Sequence, residues 1–410
     1  MRGGIINILF LTIGRFESIE AHSIYADLLR CFRNHGHTIY VISPNERRTG
    51  KKTELIHEKG ARILHVETDN VTGASSLIRK GIAQISIESI YINAIERYFP
   101  DVQFDLVMYS TPPITFCRVV EYLKKRDCAH TYLLLKDIFP QNAVDLEMMT
   151  KNGIRGLIYK YFRSKEKRLY LLSDYIGCMS EANIEYVIYH NPDINPAKVE
   201  LCPNAIEISD KSVDVEMKKE IRIEYGIPID KTVFVYGGNL GKPQGIQHVI
   251  ECMRRVKNLK DAYFLIVGSG SDYVKLENYV KEAQPDNIKL LNLLPKEEYD
   301  DMVGACDVGM IFLDHRFTIP NFPSRLLAYM QAKLPVLACT DPNTDIGKVI
   351  SENGFGWWCE SNDAAKFKEI VEDIIEIPAT DINDMGETAF EELKRRYDVQ
   401  KCYEQIIHHF

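Results

Sequence analysis

Residues 321–338 read Asn-Phe-Pro-Ser-Arg-Leu-Leu-Ala-Tyr-Met-Gln-Ala-Lys-Leu-Pro-Val-Leu-Ala. The Pro-Ser-Arg sequence at 323–325 predicts the start of a short amphipathic helix with Leu327 and Met330 on its apolar face. The apolar run 336–338 follows almost at once and predicts a buried strand. A helix and a buried strand joined this closely are typical of an α/β fold.

The entry to this helix is also a candidate anion site. The first backbone N–H groups of a helix lack intrahelical partners and lie at the positive end of the helix dipole. Arg325 adds a planar set of donors suited to phosphate. Late in a chain of two α/β domains, this arrangement predicts that Pro323, Ser324, Arg325 and Leu326 bind the diphosphate of a nucleotide.

Two alternations of apolar strands and helical segments extend the pattern along the chain. The first contains predicted strands at 6–11, 37–42, 106–109, 131–135 and 175–179. The second contains predicted strands at 233–236, 263–267, 289–291, 308–312 and 335–338. Because strands that alternate with helices form parallel sheets, we expect two Rossmann-like, doubly wound parallel-sheet domains that face a cleft. The ligand is expected at the carboxyl ends of their strands.

Length and local composition predict the domain boundaries. A chain of 410 residues fits two domains, an N-terminal one over 1–206 and a C-terminal one over 229–386. Residues 207–228 are polar and charge-rich, which predicts a linker. Residues 387–410 are helical in pattern and are expected to cross back onto the first domain.

The overall composition argues against several classes of protein. With 45% hydrophobic and 26% charged residues the chain is globular, and its net charge of −8 argues against a nucleic-acid partner. The ten cysteines occur singly, without Cys-x-x-Cys spacing, so neither a zinc site nor a redox dithiol is predicted. A cytoplasmic location is expected. No run of about eighteen apolar residues occurs, so any membrane contact is expected to be peripheral.

A glycine-rich loop at 236–245 follows a predicted strand and precedes a predicted helix. Its glycines, including Gly238, permit close approach of the backbone to a ligand. The loop N–H groups, Lys242 and Gln244 are suited to bind phosphate, and a plain strand-to-helix turn is an equally weighted alternative. The loop does not match the Gly-x-Gly-x-x-Gly or P-loop patterns, which argues against dinucleotide and ATP sites.

Lys136 and Asp137 lie just past the predicted strand 131–135, at its carboxyl end. An aspartate that faces a cleft is suited to orient or deprotonate an acceptor hydroxyl, and Lys136 is suited to pair with phosphate. The alternative for Asp137 is to cap the segment that follows.

Three further positions lie near strand ends. Gly268 follows the apolar run 264–267, where it contacts a ligand or forms a tight turn. Gly14 ends the first strand, where the backbone is able to approach a ligand. His22, at the start of the next helix, is a candidate acceptor contact, although a lone histidine is more often structural.

Residues 151–168 carry seven basic side chains against one acid, Glu166, with aliphatic and aromatic residues between them. A helix of this composition is suited to rest on an anionic membrane surface or to meet a lipid diphosphate. An ordinary solvated helix face is the commoner alternative.

Taken together, these motifs resemble the group-1 glycosyltransferases (family 4), which have the GT-B fold. The passages that carry the resemblance are 173–180 with 202–205, 238–245, 323–336, and 136–140. The last of these is similar to a variant of the capsule and O-antigen branch. The resemblance implies transfer of a sugar from a nucleotide-sugar donor, with UDP favoured, to a saccharide or polyprenyl-diphosphate-linked acceptor. It also implies retention of anomeric configuration and no metal or cofactor, and the absence of any Asp-x-Asp motif agrees with the lack of a metal.

The resemblance and the local patterns together select the candidate site residues. Asp137 and Lys136 are the catalytic candidates, and His22 is the acceptor candidate. The donor-binding candidates are Gly14, Gly238, Asn239, Lys242, Gln244, Gly268, Leu294, Pro323, Ser324, Arg325 and Leu326.

The chain departs from the family pattern in the donor helix. Two glutamates that are usual there would fall at Pro320 and Ala328, and the usual Arg and Lys of the phosphate loop fall at Asn239 and Gln244. Arg325 matches a Pro-Ser-Lys cation of the capsule and O-antigen branch. The missing glutamates favour one alternative, a non-catalytic scaffold that binds sugar nucleotides. A sugar-nucleotide epimerase of the same architecture is a further alternative.

Overall fold

The computed structural model describes residues 4–70 and 77–410, and only the backbone of residues 77–85. The chain divides into two compact units. Unit 1 comprises Met1–Glu207 with Val399–Phe410, and unit 2 comprises Ile208–Asp398. Each unit contains a sheet of mainly parallel strands with alternating helices, which confirms the predicted α/β fold of two Rossmann-like domains.

Unit 1 is built on an eight-stranded sheet. Its strands are β1 Asn7–Leu11, β2 Thr38–Glu46, β3 Glu54–Glu58, β4 Ala61–Thr68, β5 Leu106–Thr111, β6 His130–Leu135, β7 Tyr175–Cys178 and β8 Val199–Leu201. They lie in the order β3-β4-β2-β1-β5-β6-β7-β8, and each neighbouring pair is parallel except β3 and β4. The order reverses between β1 and β5, where the crevice of a doubly wound sheet opens.

Six helices of unit 1 follow its strands. They are α1 Ile24–Asn34, α2 Leu77–Tyr98, α3 Cys117–Asp127, α4 Gln141–Asp145, α5 Gly156–Leu172 and α6 Glu181–His190. Both faces of the sheet are covered, since Leu9 and Leu11 of β1 belong to one hydrophobic cluster and Ile8 and Phe10 to another. This two-sided burial explains why the central strands are continuous apolar runs.

Unit 2 contains a six-stranded sheet. Its strands are β9 Thr232–Asn239, β10 Ala262–Ser269, β11 Ile288–Leu291, β12 Val308–Phe312, β13 Val336–Thr340 and β14 Gly356–Glu360. They lie in the order β11-β10-β9-β12-β13-β14, with every neighbouring pair parallel. The order reverses between β9 and β12, so the crevice of this sheet lies at their carboxyl ends.

The helices of unit 2 include the one expected after Pro-Ser-Arg. They are α7 Val215–Glu224, α8 Ile246–Val256, α9 Tyr273–Ala283, α10 Lys296–Gly304, α11 Arg325–Gln331, α12 Ile346–Glu352, α13 Ala364–Ile375 and α14 Ala379–Arg396. In α8, the buried residues Ile246, Val249, Ile250 and Met253 recur at helical spacing and pack into the core of the unit.

The segment expected to be a linker, 207–228, differs from that expectation. Residues from Ile208 onward lie in unit 2 and include α7. The charged side chains that suggested a linker fasten this helix to its unit, because Arg222 donates from Nε to the Ala305 carbonyl at 2.8 Å and from Nη2 to Asp307 at 2.7 Å. The polar composition of this segment therefore reflects an ion-paired helix and not a linker.

The expected helix over 387–410 is two helices. Helix α14 belongs to unit 2, where Gly386 packs so closely that a Cβ there would lie 2.0 Å from the Lys333 carbonyl oxygen. The last helix, α15 Val399–Ile407, belongs to unit 1, where Tyr403 stacks on His35 with ring centres 4.0 Å apart. The chain thus returns to unit 1 only from Val399 onward.

Within 4–70 and 77–410, no helix combines the length and the apolar character that a bilayer crossing requires.

Candidate functional site

The crevice of the unit 2 sheet is formed by the ends of β9 and β12 and by α11. Strand β9 ends in Gly237, Gly238 and Asn239, and Gly238 has a φ of +118°, a conformation that favours glycine. Helix α11 begins with Arg325, the cation selected from the sequence. A Cβ at Gly238 would lie 3.5 Å from Nη2 of Arg325, so the structure brings Gly238 and Arg325 together.

The Arg325 guanidinium lies on an aromatic ring, and one of its nitrogen atoms has no hydrogen-bond partner among the described residues. Its central carbon is 4.3 Å from the centre of the Tyr236 ring, a cation–π contact. Its Nη1 is buried and has no hydrogen-bond partner. Among the ion pairs of the described residues, none joins a carboxylate to this guanidinium. A buried cation with an unused donor is a site prepared for an anion.

Two more tyrosines hold this corner of the crevice. Tyr329 donates its hydroxyl to the Met310 carbonyl at 3.0 Å and accepts from the Gly237 N–H at 3.3 Å. Tyr299 lies over Gly237, where a Cβ would be 1.8 Å from its hydroxyl oxygen. Burial raises the pKa of Tyr299 to about 12, so the phenol is neutral at physiological pH. The aromatic surroundings therefore position Arg325 without neutralising it.

The sequence reasoning missed Tyr236, Tyr299 and Tyr329 as supports of the site. Tyr236 and Tyr329 lie inside the two selected motifs, but neither was given a role there. Tyr299 lies within α10, far from either motif in the chain, so only the fold brings it near.

The glycine-rich loop after β9 uses two of its predicted phosphate ligands internally. Asn239 donates from Nδ2 to Oε1 of Gln244 at 2.9 Å, and the Gly241 N–H donates to the same oxygen at 3.3 Å. Gln244 therefore stabilises the conformation of the loop through these two hydrogen bonds. The Lys242 side chain is exposed, so its ammonium group is accessible to an anion.

Gly268 is required by strand packing. It pairs with Gly238 in the parallel register of β9 and β10, and a Cβ there would lie 1.9 Å from the Gly238 carbonyl oxygen. This contact favours the structural alternative for Gly268. Leu294 is half-buried in the loop before α10, and the structure shows no particular role for it.

The entry to α11 offers fewer free N–H groups than expected. The N–H of Leu326 donates to the Pro323 carbonyl at 3.3 Å, and that of Leu327 donates to the Ser324 carbonyl at 3.1 Å. Leu326 itself is buried in the core, and Ser324 is exposed. Because these turns already use the backbone donors, the anion-binding character of this entry depends chiefly on the Arg325 side chain.

An acid that the sequence reasoning did not select lies at the end of β13. Asp341 accepts backbone hydrogen bonds from Asn343 at 2.9 Å and Thr344 at 3.2 Å, while its Oδ2 is buried without a partner. Burial raises its pKa to about 6. Its position directly after an apolar strand was a signal for a strand-end site. Of the two positions usual for glutamate, Pro320 is buried and Ala328 half-buried.

Asp137 of unit 1 lies beyond the carboxyl end of β6. It accepts a 2.6 Å hydrogen bond from Nδ2 of Asn142, while its Oδ1 is buried without a partner. Burial raises its pKa to about 6. Helix α4 has no side-chain cap, so Asp137 does not act as its N-cap. A partly desolvated carboxylate with a free oxygen is suited to accept a proton or a hydroxyl hydrogen bond.

Lys136 has different neighbours from Asp137. It donates from Nζ to the Cys202 carbonyl at 3.3 Å, and burial lowers its pKa. The small pocket around it is lined by Ile24, Tyr25, Leu28, Leu134, Cys202, Pro203, Ala205 and Cys402. The Cys402 thiol and the Lys136 charge help to lower the pKa of Cys202 to about 7. The two catalytic candidates thus occupy separate environments.

Gly14 and His22 are both exposed at the same end of the unit 1 sheet. The Gly14 N–H donates to Oγ1 of Thr12 at 3.0 Å, and a Cβ at Gly14 would meet only that oxygen, at 3.6 Å. His22 directly precedes Ser23, the N-cap of α1. The structure leaves both positions accessible to a ligand.

Comparison with known protein families and relatives gives a consistent result. Residues 217–392 match the model of the family described as glycosyl transferases group 1. WbjE of Pseudomonas aeruginosa, assigned as a glycosyltransferase, is 26% identical over 331 residues, which cover 78% of this chain and 77% of WbjE. WcaI of Escherichia coli strain K12, a glycosyl transferase assigned to colanic acid biosynthesis, is 29% identical over 102 residues, covering 25% of this chain and 23% of WcaI.

Solved structures with the same fold extend over both units. Sucrose-phosphate synthase from Thermosynechococcus elongatus has a TM-score of 0.77 at 14% identity and covers 98% of each chain. Anabaena HepE, solved in complex with UDP and glucose, has a TM-score of 0.72 at 14% identity and covers 98% of this chain and 99% of HepE. At such identity the likeness concerns the fold alone.

Proposed function

We propose that the chain is a group 1 glycosyltransferase of the GT-B fold, the family whose model it matches over 217–392, and that its donor is a nucleotide sugar, UDP-linked in preference to GDP-linked. The acceptor is a saccharide or a polyprenyl-diphosphate-linked saccharide in surface polysaccharide biosynthesis. The UDP bound by HepE supports the choice of nucleotide. The role assigned to WcaI in colanic acid biosynthesis supports the choice of acceptor class.

One observation carries the donor assignment. At the reversal of strand order in unit 2, Arg325 presents a buried Nη1 that has no hydrogen-bond partner among the described residues. Ligands of doubly wound sheets bind at this point, and a guanidinium matches the geometry of phosphate oxygens. The proposed ligand of Arg325 is therefore the donor diphosphate, with exposed Lys242 as a second cation.

The proposed reaction breaks the bond between the anomeric carbon of the donor sugar and the diphosphate oxygen, and joins that carbon to an acceptor oxygen. The leaving nucleoside diphosphate takes up the negative charge, which Arg325 and Lys242 stabilise without a catalytic metal. Configuration at the anomeric carbon is retained, in keeping with the family resemblance. Asp137 contacts the acceptor hydroxyl, and its unpartnered oxygen and raised pKa support that role.

Peripheral attachment to an anionic membrane is part of the proposal. Around the start of α5, Ile154, Leu157 and Ile158 are 87%, 62% and 47% exposed. The basic side chains of Lys151, Arg155, Lys160 and Lys167 are exposed beside them. Apolar side chains flanked by cations are suited to insert at an anionic lipid surface, where a lipid-linked acceptor would be found.

A nucleotide-sugar panel tests the function. The full-length chain is scanned for thermal unfolding with UDP, GDP and their sugars, and each stabilising donor is then incubated with and without saccharide and polyprenyl-diphosphate acceptors. We expect UDP-linked donors to raise the unfolding midpoint and transfer to require an acceptor. Binding without transfer would favour the scaffold, and conversion of donor alone would favour the epimerase; either would overturn the proposed transfer.

A further inference from the structure

Three potential metal ligands, which have no part in the proposed donor site, lie close together in unit 2. His248 and Cys252 are four residues apart on α8 and therefore lie on the same face of the helix. Cys339 comes from β13. Nε2 of His248 is 3.3 Å from Sγ of Cys252 and 3.4 Å from Sγ of Cys339, and the three ligand atoms lie within 4.8 Å of one another.

These separations are close to those of a metal site. Tetrahedral zinc with a Zn–N bond of about 2.0–2.1 Å and Zn–S bonds of about 2.3 Å places nitrogen and sulfur about 3.6 Å apart. The two observed nitrogen–sulfur distances fall short of this value by only a few tenths of an ångström. One imidazole nitrogen nearly equidistant from two thiols therefore supplies three of the four ligands of tetrahedral zinc, with only small side-chain movements.

We propose that His248, Cys252 and Cys339 form a Cys₂His site for zinc. Zinc favours thiolate sulfur and imidazole nitrogen, and the two thiols lose their protons to solvent when they bind it. The two thiolates then balance the charge of the cation, which permits its burial. The two cysteines are buried, whereas His248 is half-buried and leaves a route for the ion.

The position of the site gives zinc a structural role. His248 lies in the first turn of α8, and its N–H donates to the Gly245 carbonyl at 2.7 Å, at the end of the glycine-rich loop. Zinc bound there joins the start of α8 to β13. Next to it, Cys359 of β14 is the register partner of Cys339 and is also buried, so a further sulfur borders the site.

Metal content of the full-length chain tests the proposal. The purified protein is stripped with a chelator, incubated with zinc chloride, freed of unbound ion by gel filtration and analysed by mass spectrometry for metal and protein. We expect one zinc per chain and a higher midpoint of thermal unfolding with zinc than without it. We expect His248→Ala, Cys252→Ser and Cys339→Ser each to lose the stoichiometric zinc.

Cys306→Ser is the matched control, because Cys306 is also a buried free thiol of unit 2 and its Sγ donates to the Met302 carbonyl at 3.2 Å. It is expected to keep one zinc per chain. Cobalt-loaded wild type is expected to show thiolate-to-cobalt charge-transfer absorption, a readout that needs no variant to fold. Substoichiometric zinc together with no such absorption would mean that the three side chains form only a hydrogen-bonded cluster, which would overturn the proposal.

Discussion

The guanidinium of Arg325 lies on the ring of Tyr236, with 4.3 Å between its central carbon and the ring centre. An arginine held by an aromatic face keeps its full charge, whereas one held by a carboxylate is neutralised. The buried Nη1, which has no partner among the described residues, leaves part of the hydrogen-bonding capacity of this cation unused. The contact between Arg325 and Tyr236 thus explains both where the positive charge lies and why it remains available to an anion.

Removal of the Arg325 charge tests the donor site. We expect Arg325→Ala to lower kcat/KM for transfer by about 100- to 1000-fold, the range for loss of one preorganised group that stabilises developing charge. The increase in the midpoint of thermal unfolding that UDP causes should also be smaller in Arg325→Ala. Arg255→Ala is the control, because Arg255 is an exposed arginine of unit 2 paired with Glu251. Undiminished transfer by Arg325→Ala would exclude Arg325 from the donor site.

Gly238 is expected to be intolerant of a side chain. Its φ of +118° disfavours every other residue, and a Cβ would lie 3.5 Å from Nη2 of Arg325. We expect Gly238→Ala to lower the free energy of unfolding by about 1–3 kcal/mol and to weaken UDP binding. Gly36→Ala is the matched control, since Gly36 also has a positive φ, +94°, but a Cβ there meets nothing within 4 Å. If Gly238→Ala and Gly36→Ala bind UDP with equal affinity, Gly238 is not part of the donor site.

The main strands and helices could be predicted because their signals are local. The central strands are apolar runs, and Arg325 was selected from the Pro-Ser-Arg entry alone. Strands β3 and β4, joined by a turn at Gly60 with a φ of +74°, were missed because polar residues interrupt their apolar runs, at His57 in β3 and at Arg62 and His65 in β4. The hairpin therefore lacks the continuous apolar run of a central parallel strand.

Other features depend on contacts between distant parts of the chain. The proximity of Cys339 to His248 joins residues 91 positions apart, so no spacing rule of the zinc-finger type could reveal it. The internal hydrogen bond between Asn239 and Gln244 likewise depends on the exact path of the loop. Helix α7 was mistaken for a linker because its ion-pair partners, such as Asp307, lie far along the sequence.

The membrane surface of α5 is tested by flotation with vesicles. Three basic residues of the stretch already form ion pairs within unit 1, Arg163 with Glu166, Lys165 with Glu88 and Arg168 with Glu121. Reversal of the charges of Lys160 and Lys167 therefore leaves these pairs intact. Each basic residue near an anionic surface contributes about 1 kcal/mol, so we expect the double charge reversal to weaken binding to anionic vesicles at least about tenfold.

The matched control for flotation is a double reversal elsewhere, at Lys348 and Lys281, which are both exposed residues of unit 2. This control variant changes the net charge by the same amount and should leave binding to anionic vesicles unchanged. Neutral vesicles are expected to bind the wild type weakly. If the α5 variant binds anionic vesicles as the wild type does, this surface is not the attachment site.

Asp137 links stability to pH in a direction that can be measured. Its pKa in the folded protein is about 6, above the ordinary value of 3.8, so the folded state holds this proton more tightly than the unfolded chain does. The resulting stabilisation is fully present below pH 4 and is lost as the pH rises through 6. At pH 8 the buried carboxylate therefore lowers the free energy of unfolding by about 2–3 kcal/mol.

Asp137→Asn removes this penalty while keeping the shape of the side chain. Its amide oxygen replaces the carboxylate oxygen that accepts from Nδ2 of Asn142. We expect Asp137→Asn to be more stable than wild type at pH 8 by about 2–3 kcal/mol, with the difference vanishing near pH 4, as measured by urea denaturation across this range. Transfer activity should fall in the same variant, because the ionised carboxylate is lost. Glu166, whose pKa is raised to about 6 by burial and to a smaller extent by the charge of Asp137, titrates in both proteins. A stability difference that is independent of pH would contradict the raised pKa, and full activity of Asp137→Asn would contradict its role toward the acceptor.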